Sequence, residues 1–393
     1  MRFKRLEDAD VHGKRVLLRE DLNAPMKNGA VADDTRLVAA LPTLRWLHDH
    51  GARTVILSHL GRPDGKPDPK FSLRPIATRL SELLGDPVGF VDDCIGDAAV
   101  AASKALRDGE FVLFENVRFH PEEEANDPAF ARELARSGEL YVNDAFGTAH
   151  RAHASTAGVA AHLPSYAGLL MEAELAALAR LTENPAHPYV CAIGGAKVVD
   201  KVGVFENLIA KVDAFVIGGG MANTFLAAQG INVGRSLRDP DLIPAQRIIA
   251  LALSRGVALH LPTDAVVADA FDADDTARVV PLDGVGDGMI LDIGPQTAQA
   301  YANVLRGAKT LVFNGPMGVY EKPAYQNGTR VVGEAIAAAT KAGAISVVGG
   351  GDAAAAAHEL GFADAMTHVS TGGGATLEFL EGKTLPGIAA LES

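Results

Sequence analysis

Cysteine is nearly absent. Cys94 and Cys191 are the only two in 393 residues, far apart and in no metal-ligand spacing. They give no disulfide framework, and so sparse a thiol content suits a reducing cytoplasm. Long hydrophobic runs are also missing. No apolar stretch is long and charge-free enough to span a bilayer, and the opening Met1-Arg2-Phe3-Lys4-Arg5-Leu6-Glu7-Asp8 lacks the apolar core of a signal peptide. Positive charge is in deficit: the formal net charge is −13. That argues against nucleic acid as a partner, and any anionic substrate then needs a local cluster of cations. Three familiar motifs do not occur: G-x-x-x-x-G-K-[ST], G-x-G-x-x-G and G-x-S-x-G. Their absence removes the P-loop, the dinucleotide fingerprint and the hydrolase elbow.

What remains is a chain of 393 residues, too long for one usual core, with the apolar and charged content of a soluble globular protein. Short apolar runs alternate with helical patterns almost throughout. Strands are expected at Arg15–Leu18, Thr54–Leu57, Phe111–Phe114, Leu140–Val142, Tyr189–Ile193, Ala214–Ile217, Ala258–Leu261, Lys309–Phe313 and Ile345–Val348. Helical periodicity covers Arg36–His48 and Asn327–Ala342, among others. Buried, non-alternating strands separated by helices predict α/β architecture with parallel sheets covered on both faces.

The pattern implies two doubly wound, Rossmann-like domains. The run Leu169 to Leu181 reads as a helix that could connect them, or as an ordinary surface helix of one domain. It is followed by the break Asn184-Pro185-Ala186-His187-Pro188. The expected division is residues 1–168, a joining helix at 169–182, a second domain at 183–371, and a tail at 372–393.

Ligands in open parallel sheets bind beyond the carboxyl ends of the strands. In the first half those ends carry Asp21 and Asn23, Ser58-His59-Leu60-Gly61-Arg62, Glu115-Asn116-Val117-Arg118, and Asn143-Asp144 through His150-Arg151. Arginines gathered there suit a small molecule with several negative charges. In the second half the ends carry Gly194-Gly195-Ala196-Lys197, Gly218-Gly219-Gly220, Asn314-Gly315-Pro316-Met317-Gly318 and Gly349-Gly350-Gly351-Asp352.

Glycines let backbone approach a ligand closely. The last loop leads into the helix-forming run Ala353 to Ala357, so it sits at a helix N-terminus, which favours anions. Asp352 adds a carboxylate suited to magnesium beside phosphates. The pattern fits a nucleotide phosphate site and also a plain strand–helix turn. Lys197 and Lys201 are four apart and would share a helical face if a helix begins by Lys197. His150 and His153 are three apart, with a structural or substrate-loop role favoured over zinc.

Eight segments in order resemble the phosphoglycerate kinase family. They are Arg19-Glu20-Asp21-Leu22-Asn23, Ser58 to Pro63, Glu115 to His120, Asn143 to Arg151, Gly194 to Val198 with Asp200-Lys201, Asn314 to Glu321, Gly349 to Asp352, and Ser370 to Ala375. The resemblance implies reversible phosphoryl transfer between 1,3-bisphosphoglycerate and ADP, giving 3-phosphoglycerate and ATP. It implies magnesium as the cofactor and a hinge-bending monomer, with the tail returning to the first domain.

Carried over by position, Asp21 and Asn23 would hold the glycerate, and His59, Arg62, Arg118 and Arg151 its non-transferred phosphate. Arg36 would stabilise the moving phosphoryl group. Lys201 would bind nucleotide phosphates, and Lys197 would follow the transferred group with backbone bonds from Gly350 and Gly351. Asp352 would hold magnesium. Gly195, Gly220 and Pro316 would line the adenine slot, Glu321 would bind ribose, and Asn314, Gly349 and Ala353 belong to the same loops. Three positions depart from the family pattern: Ala353 in place of threonine or serine, Phe313 in place of tryptophan, and Glu20 in place of an apolar residue. The alternatives are another carboxylate kinase on the same fold, or a catalytically silent binding protein.

Overall fold

A computed structural model describes residues 3–392. The chain divides into two compact units: residues up to Leu175 together with Thr384 onward, and Ala176–Lys383.

The first unit is built on six parallel strands in the order Val88–Val91, Phe111–Phe114, Arg53–Leu57, Arg15–Arg19, Leu140–Asn143, Ser165–Ala167. Leucines, valines and phenylalanines fill the central strands and are buried on both faces, the pattern of a sheet covered by helices. The chain runs outward from Arg15–Arg19 in one direction, then returns to place Leu140–Asn143 on its other side. That reversal opens a crevice at the tips of these two strands. The helix Thr35–Asp49 begins where Asp33 Oδ1 accepts the Thr35 N–H (2.8 Å) and hydroxyl (2.6 Å). It buries Leu37, Ala40, Leu41, Leu44 and Leu47 in the core, which fixes Arg36 in its first turn. The C-terminal segment joins this unit through Gly387 N, which donates to the Ala149 carbonyl at 2.8 Å.

The second unit has six parallel strands in the order Ala258–His260, Ala214–Ile217, Tyr189–Ile193, Thr310–Asn314, Ile345–Val348, His368–Val369. The chain winds outward from Tyr189–Ile193 and later restarts beside it at Thr310–Asn314. The switch point lies between these two strands, under Gly194 and Gly315. The core includes Leu311, Phe313, Val332, Ile336, Val348 and Ala353. Phe313 packs edge-on to Phe362, centroids 5.6 Å apart, so the ring in the place of tryptophan is a core residue.

The α/β expectation holds, with two additions, the smaller a two-stranded antiparallel pair of Met26–Lys27 and Ala30–Val31. Asp264–Ala268, Arg278–Pro281 and Met289–Ile293 form a three-stranded antiparallel sheet. An apolar run such as Ala265-Val266-Val267-Ala268 marks a strand but carries no sign of its direction. Three edge strands were also unmarked, the two-residue His368–Val369 among them. Val88–Val91 contains Gly89 and is only partly buried, and Ser165–Ala167 is three residues long. The helix Leu169–Thr182 is present, and Asp144 Oδ1 accepts the Met171 N–H at 2.9 Å in its first turn.

Candidate functional site

In the first unit the strand tips bring cations into a buried cluster. Arg19 ends its strand with no solvent exposure. Its Nε donates to Ser155 Oγ at 2.7 Å, and one terminal nitrogen lies 3.3 Å from His59 Nδ1. His59 is also buried. Burial and the neighbouring Arg19, Arg118 and Arg36 push its pKa well down, so its ring is neutral. Arg118 is 6% exposed and donates to the Gly61 carbonyl at 2.8 Å. Burial, and then Arg19, lower it to about 10, where it keeps its charge at neutral pH. His153 falls to about 3, first through burial and then through Arg118, Arg19 and Arg151.

These mutual effects place Arg19, Arg36, His59, Arg118, Arg151 and His153 around one region. The nearby acid Glu123 is buried and already committed to Ser155, through its N–H at 2.8 Å and hydroxyl at 2.5 Å. So many cations in low dielectric are an anion site in waiting.

Asp21 pairs with Arg36 at the mouth of this cluster. Asn23 Oδ1 accepts the Gly61 N–H at 2.8 Å, tying the Asp21–Asn23 loop to the loop that carries Arg62. Arg62 itself is exposed. Arg151 Nε lies 3.3 Å from His150 Nε2, so the two histidines of this loop are bound up with arginines rather than facing a metal.

In the second unit a cavity of about 580 Å³ opens at the switch point. Gly195, Ala196, Gly220, Leu237, Phe271 and Pro316 are among its lining residues; Glu321 and Asp352 are there too. Its glycines are sterically required. A Cβ on Gly194 would lie 2.0 Å from the Pro316 carbonyl oxygen, and one on Gly220 would lie 2.7 Å from that of Ala196. Gly350 has φ +99°, a backbone setting open to glycine. Asn314 Nδ2 braces this turn by donating to the Gly349 carbonyl at 2.6 Å. The helix Gly351–Glu359 follows, with Asp352 exposed in its first turn and Ala353 turned into the core. Beneath the loop, Lys201 Nζ donates to the carbonyls of Gly194 and Asn314, both at 2.7 Å. Burial lowers its pKa to about 8.

The two lysines do not share a helical face, contrary to the sequence expectation. The segment at Lys197 is irregular, a short 3-10 turn covers Val199–Lys201, and the α-helix begins only at Val202. Asp239 Oδ2 accepts the N–H of Val198 at 2.7 Å and of Val199 at 3.3 Å, which anchors the start of that turn. Lys197, before the turn, is exposed, while Lys201 at its end turns inward.

Sequence reading missed several lining residues. Arg19 lies inside the segment Arg19 to Asn23 and His153 stands out in the sequence only with His150, yet burial gives both their weight. Phe271 reaches the cavity through the antiparallel insertion, and Lys322 through the loop after Thr310–Asn314, next to Glu321. Cys94 also has unforeseen neighbours: its thiol, Asp93 and His120 have donor atoms within 4.8 Å of one another. His120 Nε2 and Asp93 Oδ1 are hydrogen-bonded to each other at 2.8 Å.

A family model described as phosphoglycerate kinase matches residues 6–383. Relatives bearing that name include one from Chloroflexus aurantiacus, 54% identical over 100% of this chain and 99% of its own length. Another, from Moorella thermoacetica, is 54% identical over 98% of each. Among solved structures, phosphoglycerate kinase from Coxiella burnetii matches with a TM-score of 0.90 and 45% identity over 99% of both chains. The enzyme from Pyrococcus horikoshii gives 0.83 and 35%, covering 99% of this chain and 98% of that one.

Proposed function

Since the chain belongs to the phosphoglycerate kinase family, we propose that its two strand-tip sites divide the substrates of that reaction between them. The chain transfers a phosphoryl group reversibly between 1,3-bisphosphoglycerate and ADP, giving 3-phosphoglycerate and ATP, a step of glycolysis. The observation that supports the division is the buried cation cluster of the first unit, set against the glycine-lined cavity of the second.

In this reading residues 1–168 take the glycerate and residues 183–371 the nucleotide. Arg118, Arg151, Arg62 and neutral His59 hold the phosphate that stays behind. Asp21 and Asn23 orient the hydroxyl and carboxyl end. Asp21 and Glu124 offset part of the charge of this cluster, and the arginine charge that remains favours a dianion there. In the other unit the base enters the apolar cavity between Gly195, Gly220 and Pro316, and Glu321 accepts from the ribose hydroxyls. Lys201 and the N–H groups of Gly350, Gly351 and Ala353 meet the phosphates. Asp352 is an exposed carboxylate lining the cavity, a fit for an ion that keeps most of its ligands as phosphate and water. Magnesium held there would offset phosphate charge during transfer.

The acceptor in the ATP-consuming direction is a carboxylate, ionised at neutral pH, so no general base is needed. Catalysis then rests on alignment and on cations that meet the charge of the transferred group. Arg36 and Lys197 are placed for this, each at the edge of its own site. With substrates held on separate units, transfer requires the two to close, and the helix at 169–182 is the natural hinge. The protein works as a cytoplasmic monomer; of the expected tail 372–393, only Thr384 onward belongs to the first unit, because Gly374–Leu380 packs on the second, where Asn207 Nδ2 donates to the Leu380 carbonyl at 2.8 Å.

The test is a coupled assay with ATP, magnesium and 3-phosphoglycerate, alongside calorimetric titration of each substrate. Arg118→Ala is expected to lose 3-phosphoglycerate binding and keep ATP binding. Loss of ATP binding instead would overturn the division of sites.

A further inference from the structure

Lys322 lies outside the machinery described so far, and its surroundings are unusually specific. All three of its ammonium protons have an acceptor on one loop. Nζ donates to the Phe271 carbonyl at 2.6 Å, and to Asp272 Oδ1 and Asp274 Oδ1 at 3.1 Å each. The same nitrogen stands 4.4 Å from the centre of the Phe271 ring. An ammonium has three donors, so this contact set is saturated. The other end of the loop is pinned separately, by Arg278 to Asp269 Oδ1 at 2.8 Å.

The loop so held carries an anomaly. Phe271 is 45% exposed, although it lines the cavity assigned to the nucleotide. Half an exposed phenylalanine ring costs free energy unless a ligand covers it. Around it Leu237, Met289 and Val319 line the same apolar part of the cavity, and Glu321 is the residue immediately before Lys322. A flat aromatic base is the part of a nucleotide that such a ring would meet.

We propose that Lys322 is a positioning residue: it clamps the loop 271–274 so that the Phe271 ring is set in advance to stack on the base of a bound nucleoside diphosphate or triphosphate. This rests on the reading of the cavity as the nucleotide site and adds a determinant of base recognition to it. The clamp acts through preorganisation. Without Lys322, Asp272 and Asp274 repel each other, the loop loses its three bonds, and the ring must be ordered by the ligand itself.

The test separates base from phosphate. ADP and inorganic pyrophosphate are titrated calorimetrically against the full chain and three variants: Lys322→Met, Lys322→Arg, and Asp272→Asn with Asp274→Asn. Lys322→Met is expected to weaken ADP by about three- to tenfold, the range of one aromatic stacking contact. Pyrophosphate, which has no base, is expected to change by less than about twofold. Lys322→Arg restores ADP binding. The double asparagine variant, which leaves Lys322 and Phe271 in place, reproduces the loss and covers the case in which Lys322→Met fails to fold. Equal weakening of ADP and pyrophosphate would mean a general charge effect and would overturn the proposal, as would unchanged ADP affinity in both variants. If the unmodified chain binds ADP no better than pyrophosphate, the nucleotide reading of the cavity falls first, and the clamp falls with it.

Discussion

Arg36 is paired with Asp21, and the backbone of Gly147 lies against both side chains. A Cβ at position 147 would come within 2.2 Å of Asp21 Oδ2 and 3.2 Å of the Arg36 guanidinium. The arginine is thus held at the edge of the cation cluster by a carboxylate that we assign to the glycerate site. An arginine fixed there is available to meet charge that develops during transfer, with little reorganisation.

Arg36→Ala is therefore expected to lower kcat by about 100-fold or more, in the range of other removed transition-state donors. The KM for 3-phosphoglycerate should change much less. Steady-state kinetics in both directions measure this, and near-normal kcat would remove Arg36 from the transfer step. Arg36→Lys should recover only part of the loss, because an ammonium does not reproduce the planar fork.

The second unit predicts a pH dependence. Burial lowers Lys201 to about 8, so in the free protein it begins to lose its proton just above neutrality. A nucleotide phosphate favours the charged form and raises that value in the complex. Affinity for ATP should then be full below about pH 8 and decline as pH rises from there towards the value in the complex. Lys201→Arg removes the decline, since a guanidinium stays charged. Titration calorimetry from pH 6.5 to 9.5 reads the difference. A flat profile in the unmodified chain would show that Lys201 stays charged or does not touch phosphate.

Lys197 has a different expectation because it is exposed, in an irregular segment before the helix that starts at Val202. Lys197→Ala should lose most turnover, roughly 100-fold if it meets the transferred group, while ATP binding stays within about threefold. A loss confined to ATP affinity would move Lys197 from the transfer step to nucleotide binding.

Most of the α/β plan was legible because buried parallel strands declare themselves as unbroken apolar runs, as at Leu140–Asn143 and Tyr189–Ile193. The strand tips followed from that plan, and with them Asp21, Arg118 and the glycine loops. The antiparallel insertion was not legible. Ala265 to Ala268 looks like any other buried run, and its pairing with Met289–Ile293 is set by contacts some twenty residues away. Phe271 was hidden with it, and so were the contacts of Lys322 to residues 271–274. The condition for the lysine pair to share a helical face is not met, because the helix begins only at Val202 and Lys197 stands in an irregular segment before it. Arg19 shows a third limit. It has the same residue type as the exposed Arg74, and only the fold reveals that it is fully buried.

Glu20 gives the last prediction, and it concerns stability. Both its carboxyl oxygens and Asp144 Oδ2 are buried with no hydrogen-bond partner drawn between them. Burial first, then the facing Asp144, raises Glu20 well above the usual carboxylate range. Asp144 itself rises to about 6, chiefly through burial. A proton held on Glu20 is what lets two acids share this interior. In the unfolded chain Glu20 titrates near its ordinary value of about 4.3. Between that value and its raised folded value the native state holds the extra proton, so stability falls as pH climbs through the window. Glu20→Gln keeps the shape, supplies an N–H donor for Asp144, and has no proton to lose. The variant should melt with the unmodified chain near pH 4. It should gain as pH rises, by roughly 2–4 °C for each kcal/mol relieved. Thermal melts at pH 4, 7 and 9 decide it. A variant that melts below the unmodified chain at pH 9 would mean that the ionised Glu20 is stabilised by groups other than Asp144.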